Sequence, residues 1–149
     1  MDAVLPFGFD RPLAFYLSLY VLTLVLHVFF MTYVLAGSLY VAWATIFPGR
    51  QRIPRGQQPL AAILREWIPF VLSGAITAGV APLLFAQVIY REQFYSANLL
   101  LGWRWLVVIP VLIGAFYLLY LLKSKMVARW SFAARCGLVT GVAGCFLFV

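Results

Sequence analysis

An all-α integral membrane four-helix bundle with its N-terminus outside is the architecture predicted by three features of the sequence. Apolar residues make up 65% of the 149-residue chain and charged ones 10%, so its apolar runs far exceed what a soluble core helix needs. A hydrocarbon layer roughly 30 Å thick takes about 20 helical residues to cross, and it holds no water to satisfy backbone groups, which selects helices. The charges gather between the apolar runs, and basic residues dominate two of the gaps.

The first helix is predicted over about 13–47, with Pro12 at its start and Pro48-Gly49 as its stop. At 35 residues it would be about 52 Å long, so it must tilt, bend near Gly37 or protrude. The second is predicted over about 61–89, with Pro69 and Pro82 inside it as kinks. The third covers about 99–122. The fourth covers 131–149, ending on the apolar Phe146-Leu147-Phe148-Val149, so a C-terminally truncated sequence is expected. All four belong to one transmembrane domain, 1–149.

Orientation follows from the charges. Arg50, Arg52, Arg55, Arg65, Lys123, Lys125, Arg129 and Arg135 fall on one side, and Arg11, Arg91 and Arg104 on the other. The positive-inside rule therefore assigns 48–65 and 123–135 to the cytoplasm, and the N-terminus and 90–98 to the outer side. A bacterial inner membrane is the expected location. The net charge of +7 raises nucleic acid as a partner, but the basic residues form no patch interleaved with polar surface. Met1-Asp2-Ala3-Val4 lacks the basic opening of a secretory signal, so the first helix is expected in the mature protein.

Cys136 and Cys145 lie nine residues apart in one predicted helix, about 13 Å along its axis, too far to bridge. No C-x-x-C-H, P-loop, Gly-x-Ser-x-Gly or His-Glu-x-x-His is present, and no paired carboxylates lie within the apolar runs. Covalent haem, a Cys/His zinc cluster and soluble hydrolase chemistry are thereby excluded. No residue is a catalytic candidate, and the enzyme question stays open.

His27 is the single histidine, and an ionisable group inside a transmembrane helix marks a functional site by default because its burial is costly. Tyr16, Tyr20, Thr23, His27, Met31 and Ser38 recur at spacings of three, four and seven, so they share a helix face that should turn inward. Twenty residues separate His27 from Phe47, about 30 Å, which sets it near the outer boundary. Gln87, Glu92 and Arg104 fall near the same level. His27, Arg104 and Gln87 are the candidate cofactor-binding residues, and His27 the candidate metal ligand. Two readings stand side by side: an axial ligand to haem b with Arg104 pairing a propionate or Glu92, or a histidine hydrogen-bonded between helices with Arg104 snorkelling to the headgroups.

Gly74-x-x-x-Ala78, Ala75-x-x-x-Gly79 and Gly137-x-x-x-Gly141 permit close helix approach, read as packing within the bundle. Trp43, Trp67, Trp103, Trp105 and Trp130 fall near helix ends, as interfacial anchors do. The run Lys123 to Arg129 reads as a topology determinant and a contact for anionic lipid.

Leu26-His27-Val28-Phe29-Phe30-Met31 with Leu35-Ala36-Gly37, and Ala78-Gly79-Val80-Ala81 leading through Gln87 to an aromatic connection, resemble the N-terminal part of subunit I of the cytochrome bd quinol oxidases. The resemblance implies an outer N-terminus and a haem b ligand at His27. Glutamates that the family carries in the corresponding third helix are missing from Leu99 to Leu122, so oxygen reduction is not implied.

The expected function is a membrane subunit of an electron-transfer complex, respiratory or photosynthetic in type, with haem b on His27. Its expected partners are the lipid bilayer, other membrane subunits, quinone and an outer-side cytochrome c. The alternative is a cofactor-free structural subunit that stabilises a larger assembly by helix packing. A channel or transporter needs a polar path across the whole membrane, and the stripe on the first helix fades beyond Ser38.

Overall fold

The structure, a computed structural model, describes residues 12–50 and 58–149. Arg11, Arg52 and Arg55, three of the charges used for orientation, lie outside the described residues. Among those described, the fold is all-helical with no strand. Five α-helices follow in order: α1 (Leu13–Ile46), α2 (Leu60–Ile89), α3 (Arg91–Leu100), α4 (Gly102–Lys123) and α5 (Phe132–Phe148), with short 3-10 turns at Pro48–Arg50 and Lys125–Arg129.

Three of these, α1, α2 and α4, are long and apolar enough to cross a membrane, and α5 is a shorter apolar helix of 17 residues. Large apolar side chains such as Leu22, Phe29, Phe70 and Leu106 stand exposed on them. In water such surface would be costly, whereas lipid solvates it as well as a protein core does. This is a membrane protein.

Of the stretch 90–98, expected as a connection, all but Tyr90 belongs to α3, so the described residues form five α-helices and the next one begins at Gly102. The reason is local: Glu92 in the first turn of α3 favours the helix dipole, and Ser96 and Asn98 return their polar groups to the carbonyls of Glu92 and Phe94. α3 buries no residue, so it is an amphipathic surface turn between α2 and α4. At the opposite end, Ser131 caps α5 by accepting from the Ala134 N–H.

The core lies toward the end of the bundle that carries Arg65, Lys123 and Arg135. Val34 and Val41 of α1, Ile68 and Leu72 of α2, Leu119 of α4, and Val139 and Val142 of α5 are fully buried there. Gly37 allows a close approach of α1 to α2, because a Cβ at that position would meet the Ile68 side chain at 3.2 Å. From Leu13 to Tyr33, α1 has no buried residue. The 17 residues of α5 cover about 25 Å against about 51 Å for the 34 of α1, so α5 flanks only part of that helix.

Candidate functional site

The polar stripe of α1 turns toward the rest of the bundle, as its spacing requires. Tyr16, Tyr20, Thr23, His27 and Met31 are half-buried and Ser38 is buried, while Leu22, Val25, Leu26, Val28 and Phe29 point outward. Two of its hydroxyls are consumed locally. Thr23 donates to the Leu19 and Tyr20 carbonyls, and Ser38 to Leu35. His27 is different, because an imidazole cannot reach back to its own helix in that way.

The His27 ring crosses to α2. Its Nδ1 lies 2.8 Å from the Ala75 carbonyl oxygen. A carbonyl only accepts, so Nδ1 carries the proton and donates it. In the neutral ring the lone pair is thereby assigned to Nε2. The ring rests on Gly79, one turn beyond Ala75: a Cβ there would stand 2.8 Å from Cε1 and 2.9 Å from Nδ1 of His27. Only glycine leaves that space, so the Ala75-x-x-x-Gly79 spacing serves as a seat for the histidine. Nearby, a Cβ added at Gly74 would stand 3.8 Å from the Phe30 ring. Pro82 follows the seat, and its missing N–H leaves the Ala78 carbonyl without its usual helical donor.

The remaining candidates go elsewhere. Gln87 donates from Nε2 to the Tyr95 hydroxyl at 2.6 Å, tying the end of α2 to α3. Arg104 and Glu92 are exposed, and no hydrogen bond joins any two of His27, Gln87, Glu92 and Arg104. Among the described residues, no group of three or more His, Cys, Asp or Glu side chains could hold a metal ion. His27 is the single histidine of the chain, so a site there takes one imidazole from it. Cys136 and Cys145 are free thiols.

Two features escaped sequence reasoning. One is the role of Gly79, which the small-residue spacing flagged as a packing motif without naming the ring it receives. The other is the convergence of Arg65 on α2 with Arg135 on α5, which border the same two cavities. Charge counting had placed both on the same side, but a separation of 70 positions hid their meeting.

Comparison of the chain with protein-family models, with curated proteins and with solved structures finds no match in any of the three. The functional reading therefore rests on the site.

Proposed function

We propose that the chain is a membrane subunit of an electron-transfer complex in which His27 is an axial ligand to haem b through Nε2. The observation that carries this reading is the Nδ1–H to Ala75 carbonyl hydrogen bond. Metal-ligating histidines almost always donate their other ring N–H to a carbonyl or carboxylate, which fixes the tautomer and raises ligand basicity. The Gly79 seat adds orientation, because the ring is braced against backbone and cannot turn freely. When bound, haem supplies one-electron transfer. His27 would hold such a group through Nε2 while Nδ1 stays on the Ala75 carbonyl. Arg104 and Gln87, toward the same end of the bundle, are the residues of this chain available to the polar edge of the group.

In this reading the chain crosses a bacterial inner membrane as four helices with its N-terminus outside, as the lopsided charges favour. Quinone within the bilayer and an outer-side cytochrome c are the electron partners, and other membrane subunits complete the complex. The resemblance of the Leu26–Met31 stretch to cytochrome bd subunit I supports the same placement of His27.

A reduced-minus-oxidised visible spectrum of the purified chain or its complex tests the proposal, with His27→Ala compared at matched protein. The expected result is a b-type signal lost in the variant while the helical content is unchanged. An unaltered spectrum in the variant would exclude His27 as the ligand.

A second reading is favoured by the same contact. The His27–Ala75–Gly79 arrangement is complete as an interhelical lock, with ring, donor and seat all from this chain. A colourless wild-type protein that purifies only with partners would select this cofactor-free structural subunit.

A further inference from the structure

At the end opposite His27, the structure brings together two arginines beside cavities lined, among the described residues, by no carboxylate. Arg65 of α2 and Arg135 of α5 border two adjoining cavities of about 310 Å³ each. The Nε atoms of both are closed to solvent and have no hydrogen-bond partner among the described residues. Leaving a buried guanidinium donor unmade costs more than an ordinary lost hydrogen bond, and two cations beside one cavity add repulsion. Among the described residues no carboxylate lines either cavity, and Glu66, next to Arg65 in sequence, is exposed and borders neither. The connection after α1, residues 48–59, contains no acidic residue at all. Among the described residues, the walls of this site thus bring positive charge and no carboxylate.

The two cavities differ in their other walls. To the two arginines one adds the apolar walls of Ala44, Pro59 and Phe132, and the other adds Lys123 and Lys125. An occupant must therefore be anionic at one end and apolar at the other. We propose that this pocket binds the phosphate headgroup of an anionic phospholipid, with Arg65 and Arg135 on the phosphate oxygens, Lys123 and Lys125 beside it, and an acyl chain along the Phe132 wall. Guanidinium forks match phosphate geometry in pairs of N–H bonds, which a lysine point charge does not. Basic pockets between transmembrane helices on the cytoplasmic side recognise anionic headgroups in this way. Such a lipid would join α2 to α5 where their own charges push them apart. The proposal stands independently of His27 and of haem.

The test uses the full chain in phosphatidylcholine nanodiscs, titrated with phosphatidylglycerol or with inorganic phosphate, and read by thermal unfolding and by native mass spectrometry of retained lipid. Wild type is expected to retain phosphatidylglycerol over phosphatidylcholine and to gain stability from it. Arg65→Gln and Arg135→Gln are each expected to weaken that preference by about tenfold or more, the loss of a charge-assisted hydrogen bond. Arg129→Gln, exposed and bordering neither cavity, should leave it intact. In pure phosphatidylcholine, Arg135→Gln should be at least as stable as wild type, because a like-charge contact has been removed. No preference in wild type, or equal weakening by Arg129→Gln, would overturn the pocket in favour of diffuse surface charge. Stabilisation by inorganic phosphate equal to that by the lipid would overturn the lipid assignment.

Discussion

The two ends of this bundle are held together by different physics. At the arginine end, fully buried side chains from α1, α2, α4 and α5 interdigitate, with Val34, Ile68, Leu72, Leu119 and Val139 at the centre. Toward the other end, α1 buries nothing before Val34, and its link to α2 is polar and local, a histidine on a glycine seat. The packed end gains many weak dispersion contacts, each replaceable. The His27 end depends on a few atoms in one arrangement, so it is specific and easily lost. Lipid is as apolar as leucine, so neither end is driven by the hydrophobic effect, and contact quality decides both.

The comparison breaks most sharply at Gly79. Gly79→Leu is expected to expel the imidazole and part α1 from α2, costing about 2–4 kcal/mol through overpacking and the lost interhelical bond together. Gly114→Ala, where an added Cβ meets nothing within 4 Å, should be nearly neutral in the same thermal unfolding assay. Equal melting shifts for the two would show that the seat does not constrain the fold.

Next in size is the packed end. Leu72→Ala opens a cavity among α1, α2 and their neighbours. About 1–3 kcal/mol is expected, less than in a water-soluble core because only the packing part of the penalty remains in lipid. Val25→Ala, on the exposed face of α1, should change stability by no more than about 0.5 kcal/mol. A Val25→Ala loss as large as that of Leu72→Ala would mean that the outward face of α1 is packed against a partner.

His27→Ala should cost about 0.6–1.7 kcal/mol as an interhelical hydrogen bond in a membrane. Smallest is Tyr95→Phe, which removes the acceptor of Gln87 at an exposed contact and should cost about 0.5 kcal/mol. Hydrogen exchange at α3 would sharpen this last case, since faster exchange confined to Arg91–Leu100 is the expected result.

Legibility in the sequence tracks the range of the interaction. The inward turn of Tyr16, Tyr20, Thr23 and His27 was readable because helical periodicity is a property of neighbouring residues. So was the membrane-crossing length of the three long helices. The helix at Arg91–Leu100 was not, since its polar composition matches a connection and its Ser96 and Asn98 side chains bond back only to carbonyls one turn earlier. Gln87 was legible as a polar residue at the end of α2, but its partner is Tyr95 eight residues on, and not His27.

The sequence by itself determined that this is a helical membrane chain, where its apolar runs fall, and which face of α1 carries the one imidazole. Those properties follow from composition and from the 3.6-residue turn, which every helix imposes on its own residues. Only the tertiary structure decided that His27 meets Ala75, 48 residues away, with Gly79 beneath it, and that Arg65 and Arg135 border a common cavity. The physical reason is that helix periodicity fixes a direction around an axis, whereas a partner is chosen by which helices pack side by side and at what height. Short-range geometry cannot carry that choice; it emerges from packing among α1, α2 and α5 as a whole.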